Sequence, residues 1–174
     1  SGTREITLSV RAVSVGNLVW NDENQNGIKD PTEVGIDGVT LQIHKTDDAV
    51  IGNGDDTLLS STTSAGGGLY SFENLTPGIY YLSIPTVPAG YVLSSGPQID
   101  LDNGADGDNN GIQVGGKGTP VVSPVITLAL DSEPGNLGGG NTDATVDFAF
   151  RGVPNPGPNI LEFEMNQNSG GLPV

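Results

Sequence analysis

The chain contains no cysteine among its 174 residues. That excludes disulfide staples and thiolate metal sites alike. Basic side chains are scarce as well: 6 Lys and Arg stand against 21 Asp and Glu, for a formal net charge of −15. A surface of that sign repels nucleic acid and anionic lipid and attracts divalent cations, beyond simply keeping a face solvated. No apolar run approaches the length of a membrane span, so direct membrane insertion is not expected. Aromatic residues make up only 5% of the chain, with one Trp, one Met and one His. The lone His44 alternates outward on an expected strand with no Ser or Cys partner suggested nearby. It reads as a solvent-facing side chain rather than a catalytic base, and no enzyme is expected. Paired carboxylates are plentiful, but their Asn and Gly interleaving suits ion cages better than a glycosidase pair.

Glycine (27) and proline (12) are abundant, which favours short strands joined by many turns. Period-two alternation bears this out. Ile6, Leu8, Val10 and Ala12 alternate with Thr7, Ser9 and Arg11, and Val15–Trp20 forms a second short run. Val39, Leu41 and Ile43 alternate with Thr40, Gln42 and His44. Leu69–Phe72 and Ile79–Ile84 flank the turn Asn74–Gly78, a hairpin signal. Further strands are expected at Ile112–Val114, Val125–Leu130 and Ala144–Phe150, the last with Val146, Phe148 and Phe150 on one face. Eight to ten short strands and no helical period predict an all-β fold, an antiparallel β-sandwich. Trp20 sits where a core anchor belongs. Two long Asp- and Gly-rich loops interrupt the pattern, at Asp47–Asp56 and Asn103–Pro124. After Arg151 a Pro-rich stretch reads as a stiff linker, followed by Leu161, Phe163 and Met165 alternating with Glu162 and Glu164 as a terminal strand.

One loop carries chemistry. Calcium is a hard cation that takes six to eight oxygen ligands, and the twelve-residue loop of helical calcium-binding hands supplies them at fixed positions. Asp22, Asn24 and Asn26 occupy the first, third and fifth, Gly27 the sixth where the chain must turn, and Asp30 the ninth. Ile28 offers its backbone carbonyl, its side chain expected in the core, and Glu33 closes the site as a bidentate ligand. In a chain with 14 Asp, 15 Asn, 27 Gly and 7 Glu, the motif's five fixed positions, filled here by Asp22, Asn24, Asn26, Gly27 and Glu33, coincide by accident in roughly two sequences per thousand. The flanks are not helical: Val15–Trp20 has the content of a strand, and Gly35 and Gly38 stand where an exiting helix would run. The loop therefore joins two strands and caps the sandwich, a metal staple in place of disulfides.

A second acidic run at residues 100–111 offers Asp102, Asp106, Asp108 and Asn110 as a possible second calcium site, with Glu133 completing it from a distant loop. Uncompensated carboxylates so close together repel one another, which favours a bound cation. Asp47, Asp48, Asp55 and Asp56 form a third patch, read as loop solvation.

The run Val15–Asp22 through Gly35–Val39, with Tyr70–Tyr80, Asp108–Ile112, Ser123–Leu128, Glu133–Pro134 and Thr145–Phe150, resembles the B domains of bacterial serine–aspartate-repeat surface proteins (SdrD B-like domains), grouped with collagen-adhesin B-type modules. The resemblance covers about residues 14–151. It leaves 1–13 as an N-terminal strand or linker, and 152–174 as a linker and terminal strand that can begin a following module. It implies a calcium-stabilised sandwich whose principal ligands are Asp22, Asn24, Asn26, Ile28, Asp30 and Glu33, with extra calcium in the later acidic loop. The implied role is a stalk or spacer of a large extracellular, cell-surface protein, in contact with neighbouring modules of its own chain. The alternative is an adhesin module that recognises a glycan or protein through its loops or an edge strand. Two departures stand out. Ser64–Gly68 replaces the family's Asp-x-Asn-Gly turn, and no Lys lies where an isopeptide cross-link would need one.

Overall fold

The computed structural model describes residues 11–93, 104, 106–113, 115–116, 119–134 and 140–153. The expected strand at Ile6–Ala12 lies largely outside them, and Asp102 and the terminal strand at Leu161–Met165 lie wholly outside. Among the described residues ten strands form two sheets, and there is no helix. The first sheet has the order β4 (Leu69–Leu75), β1 (Val13–Asn21), β10 (Phe148–Gly152) and β6 (Tyr91–Leu93), with β9 (Thr142–Asp143) also pairing β1. The second has β3 (Thr57–Thr63), β2 (Thr40–Lys45), β5 (Gly78–Ile84) and β7 (Val121–Val122), with β8 (Ile126–Leu128) also pairing β5.

The alternating residues do what their period requires. Val13, Val15 and Val19 of β1, Leu41 and Ile43 of β2, and Tyr80, Leu82 and Ile84 of β5 are buried together with Val39, Val146, Phe148 and Phe150 in one core between the sheets. Burying such side chains supplies about 1.5–3 kcal/mol each against the entropy of ordering the chain. The Tyr70 hydroxyl, deep in this core, donates to the Val146 carbonyl at 2.6 Å. Burial, and then the charges of Asp147 and Asp143, hold that phenol well above its ordinary pKa.

Three expectations are corrected. The sandwich is not purely antiparallel: β1 pairs in parallel with β9 at Ser14 and Val15, and with β10 at Val19–Asn21. β9 reaches β1 after β8 of the second sheet, and β10 follows β9 within the first sheet. Neither is joined to β1 by a tight turn, which would force an antiparallel pair. Asn74–Gly78 does not close a hairpin either. β4 pairs β1, whereas β5 pairs β2, so the turn carries the chain from one sheet to the other. Tyr70, Phe72 and Leu75 on one side and Tyr80, Leu82 and Ile84 on the other are all buried, which fits two strands facing each other across a core. Finally, of the expected strand at Ile112–Val114, Ile112 forms an isolated bridge to Val122, and Val114 lies outside the described residues.

β3 has no counterpart in the sequence reading. Thr57-Leu58-Leu59-Ser60-Ser61-Thr62-Thr63 lacks alternation because it is an edge strand exposed on both faces. The register shifts between Ile43 and His44 of its partner, and Leu58 and Leu59 stay 50% and 44% exposed beside that bulge.

His44 is not a free surface side chain. Its ring stacks on Tyr81 with centroids 4.6 Å apart and 3° between planes, and its Nε2 lies 2.9 Å from the Ser83 hydroxyl. The Tyr81 hydroxyl donates to Asp56 at 3.1 Å, and burial, then that carboxylate, raise its pKa to about 12. Burial lowers the His44 pKa, with the charge of Asp56 acting the other way. The unfolded chain therefore takes up this proton more readily than the folded one. The resulting cost to stability is absent above about pH 6.5 and grows as pH falls toward the folded value. In chelator, the loss of melting temperature between about pH 7.5 and pH 5.5 is expected to be smaller in His44→Gln than in the wild type. Equal losses in the two proteins refute the assignment.

Candidate metal centre

The acidic loop begins where β1 ends. Its return limb lies back along β1: Trp20 bridges Gly35, the Asn21 N–H donates to the Val34 carbonyl at 2.9 Å, and the Ile36 N–H to the Val19 carbonyl at 2.8 Å. The Asp22 N–H donates to the Phe150 carbonyl at 2.8 Å, pinning the first position of the loop to β10. The loop is thus clamped at its base by both central strands of the first sheet.

Inside the loop, side-chain oxygens organise the backbone. Asp22 is fully buried, and its carboxylate accepts the N–H groups of Asn26 at 3.2 Å and Gly27 at 3.0 Å. Asn24 Oδ1 accepts the Asn26 N–H at 3.0 Å, and Asn26 Oδ1 accepts the Ile28 N–H at 2.8 Å. Glu33, also buried, spans the loop: Oε1 accepts the Glu23 N–H at 2.8 Å and Oε2 the Asp30 N–H at 3.0 Å. The turn requires Gln25 at φ 59° and Gly27 at φ 75°, and glycine takes up the second of these without steric cost.

The donor set fits a hard divalent cation. Three carboxylates and two amides line one short loop, and every side chain in the set offers oxygen, the atom such cations prefer. The amide nitrogens of Asn24 and Asn26 both donate to Asp30 Oδ2, at 2.7 and 3.1 Å, placing their partial positive charge against that carboxylate. Lys29 turns its ammonium to the carbonyls of Asp30 and Glu33, at 2.9 and 2.6 Å, rather than to a ligand carboxylate. Among the described residues no three His, Asp or Glu side chains converge as a ready-made cage, so the amide and carbonyl oxygens matter to the fit. Ile28 differs from expectation: its side chain is 45% exposed, not in the core. Its backbone is engaged instead, bridging Asp108.

That bridge joins the two acidic segments that the sequence keeps about eighty residues apart. The Lys29 N–H donates to the Gly107 carbonyl at 2.7 Å and the Asn109 N–H to the Gly27 carbonyl at 3.0 Å. The second segment is knitted into the sheet by the candidates Asp106 and Asn110 together with Asn17, Asn109 and Asp147, which no ligand pattern marks. Ala149 N–H donates to Asn109 Oδ1 at 3.0 Å, and Asp147 and Asn110 exchange bonds, N–H to Oδ1 at 2.7 Å and N–H to carbonyl at 3.0 Å. Asp147 accepts the Leu18 N–H at 2.9 Å and the Gly107 N–H at 2.8 Å. Asn17 donates its amide to both Asp106, at 2.6 Å, and Asp147, at 3.2 Å. Burial pushes the Asp147 carboxyl up to about 8, with the charge of Asp106 adding to it against the bonds from Gly107, Leu18 and Asn17.

Asp106, Asp108 and Asn110 therefore lie beside the first loop. Glu133 has other partners: it accepts the Ala129 N–H, bridges Gly140 and lies within the field of Asp143. Burial raises its pKa. Asn17, Asn109 and Asp147 were not legible as site residues, since each acts through a contact more than 35 residues away in sequence.

Trp20 is fully buried yet stands outside the main core cluster, and its indole Nε1 has no hydrogen-bond partner among the described residues. Its neighbour Val19 faces the core, so alternation turns Trp20 to the other face of the first sheet, directly before the loop.

A two-sheet β-domain with an acidic loop hung between strands defines a β-sandwich module. The chain belongs to the SdrD B-like domain family, whose model matches residues 13–109. Serine-aspartate repeat-containing protein D of Staphylococcus aureus is 32% identical over 119 residues, 68% of this chain and 8% of that protein. Protein E of the same name series is 32% identical over the same share of this chain and covers 9% of its own length. Colossin-B of Dictyostelium discoideum is 30% identical over 52% of this chain and 2% of its own. The chain thus spans less than a tenth of these relatives. A solved structure of the Corynebacterium diphtheriae major pilin SpaA aligns with 82% of this chain and 31% of that one. Its TM-score is 0.44 and its sequence identity 14%.

Proposed function

We propose that this chain is a calcium-stabilised spacer module of a bacterial extracellular or cell-surface protein, with Asp22, Asn24, Asn26, Asp30, Glu33 and the Ile28 carbonyl as its principal ligands. The observation that carries this reading is the closed loop: buried Asp22 and Glu33 fasten both of its arms, and its base is clamped to β1 and β10. A bound calcium supplies the positive charge that relieves the repulsion among these carboxylates. The chain's own residues then hold the loop against the sheet. Because both limbs belong to one packed sheet, the ion stiffens the module. It does not swing helices apart, as in a sensor.

The strand directions support the spacer role. β10 runs parallel to β1, with Phe148 level with Val19, so the start of β1 and the end of β10 lie at opposite ends of the sheet, about 30 Å apart at the usual rise per residue. Modules of this form join end to end, and neighbouring modules of the same chain are the proposed partners. The second acidic segment, with Asp106, Asp108 and Asn110, is the proposed place for further calcium, and family membership supports that.

A ligand-binding module is the second reading. The exposed edge of β3, with Leu58 and Leu59, favours it, since an unpaired edge is where an extended peptide adds. Isothermal calorimetry of the whole chain with calcium tests the first reading. At least one ion with a dissociation constant on the order of 10⁻⁴ M or tighter is expected, and the absence of binding refutes it. Glycan and protein arrays that find a ligand lost on Leu59→Lys, with calcium binding intact, would establish the second.

A further inference from the structure

The loop that carries the ligand set also carries a chemical weakness. An asparagine followed by glycine is prone to attack by the glycine nitrogen on the asparagine side chain, because glycine presents no side chain to block the approach. The sequence contains four such pairs: Asn26–Gly27, Asn53–Gly54, Asn103–Gly104 and Asn110–Gly111. Asn103 lies outside the described residues. Asn110 is buried, and the Gly111 N–H is held by Asn109 Oδ1 at 3.1 Å.

The other two pairs differ at the glycine nitrogen. Asn53 and Gly54 are exposed, and the Gly54 N–H has no hydrogen-bond partner among the described residues, although the Asn53 side chain is itself held, Oδ1 by the Asp55 N–H at 3.4 Å and Nδ2 on Asp48 at 2.8 Å. The Gly27 N–H is buried and donates to Asp22 Oδ2 at 3.0 Å. The Asn26 side chain is held at both ends, Oδ1 by the Ile28 N–H at 2.8 Å and Nδ2 on Asp30 at 3.1 Å. Nucleophile and electrophile are thus both fixed by the loop, and reaction requires the loop to open.

We propose that Asn26 is a latent deamidation site, latched shut by the burial of Gly27 and its hydrogen bond to Asp22 and locked further by calcium, while Asn53, whose glycine is exposed and makes no such bond, reacts whether calcium is present or not. In the reaction the Gly27 nitrogen loses its proton to water and bonds to Asn26 Cγ. The Cγ–Nδ2 bond breaks, and the nitrogen leaves as ammonia, giving a cyclic succinimide. Water then opens the ring. Breaking the bond from the Gly27 nitrogen to Cγ gives aspartate; breaking its bond to the Asn26 backbone carbonyl carbon gives isoaspartate. No electrons are transferred, and water is the only co-reactant. The two products have opposite consequences. Aspartate keeps an oxygen ligand at position 26 and adds a charge. Isoaspartate inserts an extra carbon into the backbone at the tightest part of the turn, displacing every ligand after it. A module left without calcium therefore loses its site irreversibly. The calcium dependence rests on the functional reading above; the hydrogen-bond latch does not.

The test is incubation of the whole chain at physiological temperature and mildly alkaline pH, in calcium or in chelator, followed by digestion and mass spectrometry for the gain of about one dalton at each asparagine. In calcium, Asn53 is expected to convert while Asn26 does not. In chelator, Asn26 conversion is expected to rise about tenfold, with Asn53 unchanged. Asp22→Ala is expected to accelerate Asn26 conversion even in calcium. Conversion of Asn26 as fast as Asn53 in calcium overturns the latch. An Asn26 rate insensitive to chelator, in protein that calorimetry shows to bind calcium, overturns the calcium lock. If calorimetry finds no calcium binding, the spacer reading fails by itself, and the ratio of Asn26 to Asn53 conversion still decides the latch.

Discussion

Glu33→Ala is expected to abolish most of the rise in melting temperature that calcium confers on the wild-type chain. A ligand that binds only the folded state stabilises it by about 2.7 kcal/mol at a hundredfold excess over its dissociation constant. For a domain of this size that is about 5–10 °C. Glu33 is the proposed bidentate ligand, so its loss removes two of the coordinating oxygens. The side chain also works without metal, because its two oxygens accept the Glu23 and Asp30 N–H groups at 2.8 and 3.0 Å. In chelator the variant is therefore expected to be less stable by about 1–3 kcal/mol. The two effects separate by scanning calorimetry of wild type and variant with and without calcium. An identical calcium shift in both would place the ion elsewhere, and identical melting of the wild type in calcium and chelator would remove the ion from the account.

Gly35→Ala is expected to be as damaging, for a reason unrelated to charge. A Cβ built on Gly35 falls 1.7 Å from the Gly67 carbonyl oxygen and 2.2 Å from its carbon. One built on Gly68 falls 2.1 Å from the Val19 carbonyl oxygen. All three obstacles are backbone, so no side chain can rotate away. The return limb of the loop is squeezed between β1 and the turn at Gly66–Gly68, and Asp37 fixes that turn by accepting the N–H groups of Gly67 at 2.9 Å and Gly68 at 2.6 Å. Here three glycines and Asp37 provide a close-packed support for the loop. Forcing a methyl into it costs about 3 kcal/mol or more. Calcium affinity should fall with stability, because the limb carrying Glu33 is displaced. Gly54→Ala, where nothing lies within 4 Å, serves as the control and should leave melting nearly unchanged. A Gly35→Ala protein that melts with the control would refute the packing argument.

The sequence by itself determined the local features. The spacing of oxygen-bearing side chains from Asp22 to Glu33 is legible because a twelve-residue loop places its own oxygens, with Gly27 at one of the two points, Gln25 being the other, where φ rises above zero. Val39, Leu41 and Ile43 declare a buried face because their period matches the pleat. Tertiary structure decided the rest. It placed β4 and β5 in different sheets and set β10 parallel to β1. It made an edge of Thr57–Thr63, whose residues carry no pattern because neither face is covered. It also brought Asp108 onto Ile28 through Asn109, Asn110 and Asp147. Contacts between residues far apart in sequence leave no periodic trace in either segment. The loop alone specifies which oxygens are available, and only the packed sheets specify what holds them in place.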